Sequence, residues 1–234
     1  MPYKRIWDAS CPQIYDEWES DGAKWVIQDL LPEDDKVALN MMMEQLLPDS
    51  VMSQLSGVTE EEESRRNMEI YYAHHLSKRM SLACYHIKDG KKTLAAVNCC
   101  FVKFADEQEV IPGLSDGAAW RNVQGTLGIF NSKLNAFEYL ETDKLLYAVG
   151  LVVRRDYRGA SLGARMLAAR EPLCKLHGIP STSTLFSGIA AQKCATRAGF
   201  TEILSLTLRE LADAGLKYPR DDDRCMKLMV KKFN

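Results

Sequence analysis

The sequence predicts a mixed α/β fold, a central sheet of about seven strands flanked by helices. Three observations carry that expectation. Lys144 to Val153 (KLLYAVGLVV) is a nearly unbroken apolar run, as expected of a strand buried on both faces, and it leads through a glycine-bearing turn into an amphipathic stretch. Ser81 to Ile87 and Thr93 to Phe104 are β-rich runs around Asp89-Gly90, a tight-turn signal for an antiparallel hairpin. Helix start and stop signals recur between the strand-like runs.

Lys24 to Leu31 reads as a strand closed by Pro32, and the acidic residues Glu33, Asp34 and Asp35 favour a helix start through the macrodipole, with helix to about Leu47. Pro48, Asp49 and Ser50 stop it. Thr59 offers an N-cap for a second helix that has glutamates in its first turn and basic residues in its last, and Glu60 to Glu63 are most simply a solvated helix start. Ser115 to Leu140 carries apolar residues at helical spacing and is expected as a helical insertion ahead of the buried strand. Beyond that strand come a helix opening near Ser161 and ending at Gly178-Ile179-Pro180, a strand from Ser181 to Phe186 and a helix from Gly188 to Arg197. Strands from Phe200 to Leu208 and from Cys225 to Phe233 complete the order. No repeat or linker interrupts it, so residues 1–234 are expected to form a single domain.

Apolar residues make up 46% of the chain and charged residues 26%, an ordinary globular balance. A formal net charge of -2 excludes overall attraction to nucleic acid or to an anionic membrane. No apolar run reaches spanning length and the start lacks a signal-peptide core, so a cytoplasmic protein is expected. The seven cysteines (Cys11, Cys84, Cys99, Cys100, Cys174, Cys194 and Cys225) form no CxxC pair and lie at no zinc-ligand spacing with histidine. They read as reduced, mostly buried thiols, and no metal is expected. No strand edge or apolar helix face stands out as unsatisfied, which points to a monomer.

The segment from Tyr157 to Ala164 (YRGASLGA) follows the buried strand and opens a helix. Small residues there let backbone N–H groups approach a ligand closely, and a helix start adds unpaired donors and partial positive charge, so a pyrophosphate is the natural guest. Arg154, Arg155, Arg158 and Arg165 add charge beside it. A nucleotide P-loop would need Gly-Lys-Ser/Thr and a dinucleotide fingerprint GxGxxG, and both are absent.

Arg158-Gly159-Ala160-Ser161-Leu162-Gly163 resembles motif A of the GNAT N-acetyltransferase superfamily, Arg/Gln-x-x-Gly-x-Gly/Ala, with Ser161 in place of the central glycine. FSGIAAQKCATRAGF, ending in Ala198-Gly199-Phe200, resembles motif B. Over most of the chain the layout is similar to the insect arylalkylamine N-acetyltransferase-like group. MMMEQLLPDS, GVTEEEE, the long insertion, VVRRDYRG and FSGIAA carry that likeness.

The resemblance implies a GNAT fold, its sheet splayed between central strands, and acetyl-CoA as co-substrate without a metal. The strand at Leu151, Val152 and Val153 would hydrogen-bond the pantetheine arm. Arg158, Gly159, Ala160, Ser161, Leu162, Gly163 and Ala164 would hold the pyrophosphate. A small amine would attack the thioester directly, backbone N–H groups stabilising the oxyanion without an acyl-enzyme. Acceptors of the group include dopamine, serotonin, tryptamine-like compounds and, in some members, polyamines or agmatine.

In the resembled group the proton acceptor is a glutamate just after the first helix, a position held here by Ser50. Asp49 beside it, Glu44 one turn earlier, or a water chain are the alternatives. Ser187 matches a serine used near the thioester, its companion position is Ala190, and the position of a tyrosine acid in many members is Ala195. His74 and His75 beside Tyr71 and Tyr72, and Trp120 and Phe130 in the insertion, would line an aromatic pocket or pack in the core. Two other functions stay open: a degenerate GNAT domain that binds acetyl-CoA with little turnover, and a peptide N-terminal acetyltransferase with an open groove.

Overall fold

A computed structural model describes residues 3–107 and 109–233. Eight strands form one sheet: β1 Ile14–Ser20, β2 Ala23–Asp29, β3 Leu82–Lys88, β4 Lys91–Phe104, β5 Lys144–Val153, β6 Ser181–Phe186, β7 Thr201–Thr207 and β8 Cys225–Lys232, in the order β1-β2-β3-β4-β5-β6-β8-β7. The helices are α1 Asp35–Met41, α2 Val51–Ser56, α3 Glu62–Leu76, α4 Ala118–Lys133, α5 Ala136–Leu140, α6 Leu162–Ala168, α7 Arg170–Leu176, α8 Ile189–Arg197 and α9 Leu208–Asp213. Among the described residues, no helix is long and apolar enough to cross a membrane.

The expected hairpin is present. Asp89 (φ 50) and Gly90 (φ 72) turn β3 into β4, the left-handed pair a two-residue hairpin needs. Asp21 (φ 54) and Gly22 (φ 69) repeat this device between β1 and β2. β1 is the strand the sequence did not announce. It lies at the sheet's edge with mostly exposed residues, so it lacks an apolar face and is held by pairing with β2 and by Trp18 stacked on Trp25 at 5.7 Å.

Several helix boundaries differ from expectation for local reasons. The first helix is a 3₁₀ turn at Pro32–Asp34, then α1, then a π turn at Met42–Leu46. Pro48-Asp49-Ser50 ends that helix and also starts another, because the Ser50 hydroxyl accepts the Ser53 N–H at 3.3 Å and caps α2. Thr59 is not a cap; α3 begins at Glu62 after Glu61. Asn135 caps a separate α5, which splits the insertion. Pro172 lies in the first turn of α7 and cannot continue the ladder from α6, so the helix after the turn is two segments. Thr207 and Glu210 form a capping box that turns the end of β7 into α9.

The acidic run is not simply solvated. The Glu61 carboxylate accepts the backbone N–H groups of Ala118 (3.0 Å) and Ala119 (2.8 Å), and the Ser64 hydroxyl accepts that of Trp120 at 2.8 Å. The start of α3 thereby caps the start of α4, satisfying donors a helix leaves unpaired. All seven cysteines are free, with Cys84, Cys99, Cys100 and Cys174 buried.

Candidate functional site

β5 and β6 are the parallel pair of the sheet, and they match only at Leu146 with Thr182 and Tyr147 with Ser183. Past those pairs the strands part. On its other side β5 stays paired with β4 to Val153, but Cys99 faces Gly150 while Cys100 faces Ala148, so Val149 is an extra residue in a β-bulge. The Arg154 N–H donates to Ala95 O of β4 at 2.9 Å. By strand alternation, Leu151 and Val153 turn their backbone groups to the opposite edge, toward the splay, whereas the buried Val152 turns toward β4.

A cleft of about 240 Å³ opens at this splay, lined by Tyr147 to Leu151 of β5 and by Thr184 to Gly188 of β6 and the turn after it. Its far wall is apolar and aromatic, from Met68, Tyr71 and Tyr72 of α3 and Trp120, Val123 and Leu127 of α4. Asp49, Ser50 and Val51 close a third side. The π turn sets that side: an added Cβ on Gly150 would lie 2.4 Å from Leu46 Cδ2, so glycine lets the chain just before Asp49 press against the bulged strand.

The turn from Arg158 to Gly163 meets the cleft through lining residues: Arg158 bonds Asp49 at 2.8 Å, and a Cβ on Gly163 would lie 4.0 Å from Leu151 Cδ2. Arg158 to Ser161 are exposed and Leu162 is buried. Among the described residues, the N–H groups of Gly159, Ala160, Ser161, Leu162 and Gly163 have no hydrogen-bond acceptor, so five successive donors are available. Gly159 (φ +92) and Ser161 (φ 57) are left-handed, and nothing lies within 4 Å of where a Gly159 Cβ would be. An added Cβ on Gly163 would sit 3.1 Å from Cys194 Sγ, so this glycine lets α6 approach α8. Such a donor-lined, open loop fits a diphosphate.

The charge beside it is already engaged. Arg155 and Arg158 both bond the Asp49 carboxylate, at 3.1 and 2.8 Å, Arg154 pairs with Asp156 at 2.7 Å, and Arg165 pairs with Asp16 at 2.8 Å. A phosphate would have to draw these arginines from aspartates. The hydrogen bond from Arg158, joined by that from Arg155, holds the Asp49 carboxyl below its ordinary pKa.

Other named residues are distributed as follows. Glu44 does not line the cleft; it pairs with Arg65 at 2.9 Å and faces a separate depression beside Arg154 to Asp156. Ser187 and Ala190 line the cleft, while Ala195 is buried in the packing of α8. His75 is 1% exposed, stacked on Phe101 at 4.0 Å, and burial pushes its pKa down to about 3, so it is neutral. His74, His75 and Glu109 bring ligand-type atoms within 4.8 Å of one another, with Lys78 Nζ 2.8 Å from Glu109. Phe130 packs against α9, away from the cleft. One lining residue carries no signal in the motifs: Arg170, eight residues beyond the start of α6 and 1% exposed.

A sheet splayed at one parallel pair, with a bulged strand on one side and an amide-lined turn at its mouth, defines the GNAT fold, and the chain belongs to the GNAT superfamily of acetyltransferases. It is similar in structure to a yellow fever mosquito (Aedes aegypti) protein assigned by name as arylalkylamine N-acetyltransferase 7. The TM-score is 0.89 and identity 25%, over 99% of this chain and 100% of that one. Aedes aegypti arylalkylamine N-acetyltransferase 2 (TM-score 0.75, 16% identity, 90% and 99% covered) and a Drosophila melanogaster polyamine N-acetyltransferase (0.69, 13%, 89% and 100%) share the fold. No family model and no curated protein sequence matches the chain.

Proposed function

We propose that this protein transfers the acetyl group of acetyl-CoA to the amine of a small arylalkylamine. The observation that carries the reading is the cleft through the splay, aromatic on the α3 and α4 side, whose lining Asp49 is bonded at 2.8 Å to Arg158 of the open amide-lined turn. On this reading the backbone of Leu151 and Val153 holds the pantetheine arm. Arg158 and the amides from Gly159 to Gly163, with Ala164 closing the turn, hold the pyrophosphate. The amine attacks the thioester carbon directly, and N–H groups at the bulge stabilise the developing oxyanion.

An ammonium with a pKa of roughly 10 must lose a proton before it attacks. Asp49 is the carboxylate lining the cleft among the described residues, so it is the proposed acceptor, directly or through water. Its lowered pKa makes it a weaker base while Arg158 is bound to it. Glu44 faces away from the cleft and is the less favoured base. Ser187 borders the site where a hydroxyl can hydrogen-bond the thioester or an intervening water.

The α4 wall covers the acceptor side, which favours a small amine over an extended peptide. Release of free CoA thiol, assayed with a panel of arylalkylamines, polyamines and peptides alongside acetyl-CoA calorimetry, tests the proposal. Turnover on arylalkylamines is expected. Acetyl-CoA binding with no turnover on any acceptor would replace it with a non-catalytic binding role, and turnover confined to peptides would replace the acceptor class.

A further inference from the structure

Arg170 is a buried cation without a carboxylate. Its guanidinium donates from Nε to Asn98 Oδ1 at 2.8 Å and from Nη1 to Thr184 Oγ1 at 2.8 Å and Thr182 Oγ1 at 3.2 Å. Both threonine hydroxyls spend their hydrogens on carbonyls, Thr182 on Leu146 O and Thr184 on Ser183 O, each at 2.7 Å, so their lone pairs are fixed toward the guanidinium. Asn98 in turn donates to Gly150 O at 2.8 Å. This network holds the arginine against β4, the bulged β5 and β6 at once.

Its dipoles are neutral, and a buried charge held by dipoles alone is costly unless something offsets it. The ionisable groups facing it are Cys100 on β4, Cys174 on α7 and Tyr147 on β5, and the Phe200 ring lies 5.6 Å away. None is an anion at neutral pH: burial pushes the Cys100 thiol up to about 11, the Tyr147 phenol up to about 12, and the Cys174 thiol upward as well. The guanidinium also hydrogen-bonds the Cys100 sulfur, Nη2 has no oxygen acceptor among the described residues, and Arg170 lines the cleft. An anion to pair with this charge could reach it only from the cleft it lines.

We propose, building on the acetyl-CoA reading of this cleft, that Arg170 holds the sulfur of departing coenzyme A as a thiolate. As the acceptor nitrogen bonds to the acyl carbon, the carbon–sulfur bond breaks and its electron pair stays on sulfur. The proton from nitrogen leaves separately, to Asp49 or water. The arginine supplies charge where protonation would otherwise be needed, and it is then a catalytic residue.

The test is titration of the CoA thiol in the binary complex, followed by thiolate absorbance as a difference from the acetyl-CoA complex. The wild-type thiol should titrate at least about one unit below that of free CoA, and between the two values CoA should bind roughly tenfold tighter per pH unit while acetyl-CoA affinity stays flat. Arg170→Gln should abolish this pH dependence, and Arg170→Lys should keep part of it. Should Arg170→Gln fail to fold, the wild-type titration decides alone. A bound thiol that titrates at or above free CoA, with acetyl-CoA binding intact, overturns the thiolate role and leaves the acetyltransferase reading standing. Equal weakening of CoA and acetyl-CoA at every pH in Arg170→Gln also overturns it, by marking a structural role. Failure of the wild type to bind either ligand overturns both.

Discussion

Arg158 Nη2 donates to Asp49 Oδ2 at 2.8 Å, so the residue expected to hold phosphate is tied to the residue proposed to take the proton. The two roles compete for one ion pair. Asp49 and Arg158 are 36% and 45% exposed, which keeps the pair weak, within about 0–1 kcal/mol. Asp49→Asn should therefore leave acetyl-CoA affinity unchanged or raise it by up to about fivefold. Arg158→Ala removes a charge-assisted phosphate contact and should weaken binding by about 1.5–3 kcal/mol. Calorimetry with acetyl-CoA reads both, and equal weakening in the two variants would rule out competition.

The same pair sets a pH dependence. Because the Arg158 hydrogen bond lowers the folded-state pKa of Asp49, its contribution to stability is full above the unfolded carboxylate value, about 3.9, and is lost as pH falls through the folded value. Asp49→Asn should flatten this part of the acid limb of ligand-free stability. In turnover, if Asp49 takes the proton, the variant should lose most at low pH, where deprotonated amine is scarcest. A pH–rate profile parallel to wild type would assign the proton to water.

Gly159 tests the turn without touching a side chain. At φ +92 with open space around it, alanine meets no clash but adopts a left-handed backbone at a cost of about 1–2 kcal/mol. Gly159→Ala should lower the melting temperature slightly and lessen the further stabilisation that acetyl-CoA gives, since a relaxed turn misdirects its amides. Thermal unfolding with and without acetyl-CoA measures this. Full ligand stabilisation in the variant would show that these amides do not bind it.

The elements that bury an apolar face were readable in the chain. β5 and the β3–β4 hairpin follow from unbroken apolar runs and Asp89-Gly90, and the turn from Arg158 follows from small residues after a buried strand. What escaped depends on partners distant in sequence. β1 has no apolar face and exists through β2. The role of Glu61 is set by a helix more than fifty residues later, to which its carboxylate bonds at Ala118. Pro48-Asp49-Ser50 signals a stop, and only the fold shows the new helix beginning there. Arg170 reads as an ordinary helical arginine until α7 is packed over Asn98, Thr182 and Thr184.

The α3–α4 junction predicts a stability effect. Ser64 is fully buried and its hydroxyl accepts the Trp120 N–H, so Ser64→Ala leaves that donor unpaired at about 1–3 kcal/mol. Gly117→Ala fails sterically instead, its new Cβ landing 2.3 Å from Ser64 Oγ and 3.1 Å from Ser64 N. Removing the hydroxyl relieves part of that clash, so the double variant should be less destabilised than the sum of the two. Denaturant unfolding of the four proteins completes the cycle, and strict additivity would mean the two residues do not meet.

Acceptor choice follows from the charges that border the cleft. Met68, Tyr71, Tyr72, Trp120, Val123 and Leu127 offer contact to an aromatic ring, whereas Asp49 is the lining carboxylate among the described residues and Arg170 adds positive charge. A diamine or guanidino acceptor would bring a second cation to a wall that, among the described residues, has no carboxylate on its cleft side, Glu107 and Glu109 lining the depression behind Tyr71 and Trp120, at a desolvation cost that an uncharged aryl group avoids. Tryptamine-like amines should therefore exceed agmatine and polyamines in kcat/KM by at least about tenfold, corresponding to roughly 1.4 kcal/mol. Trp120→Ala should raise KM for the aryl acceptors, bring the two classes closer and leave acetyl-CoA affinity unaltered. Steady-state kinetics across both classes reads the ratio directly, and a preference for agmatine in the wild type would place the acceptor's far end outside this aromatic wall.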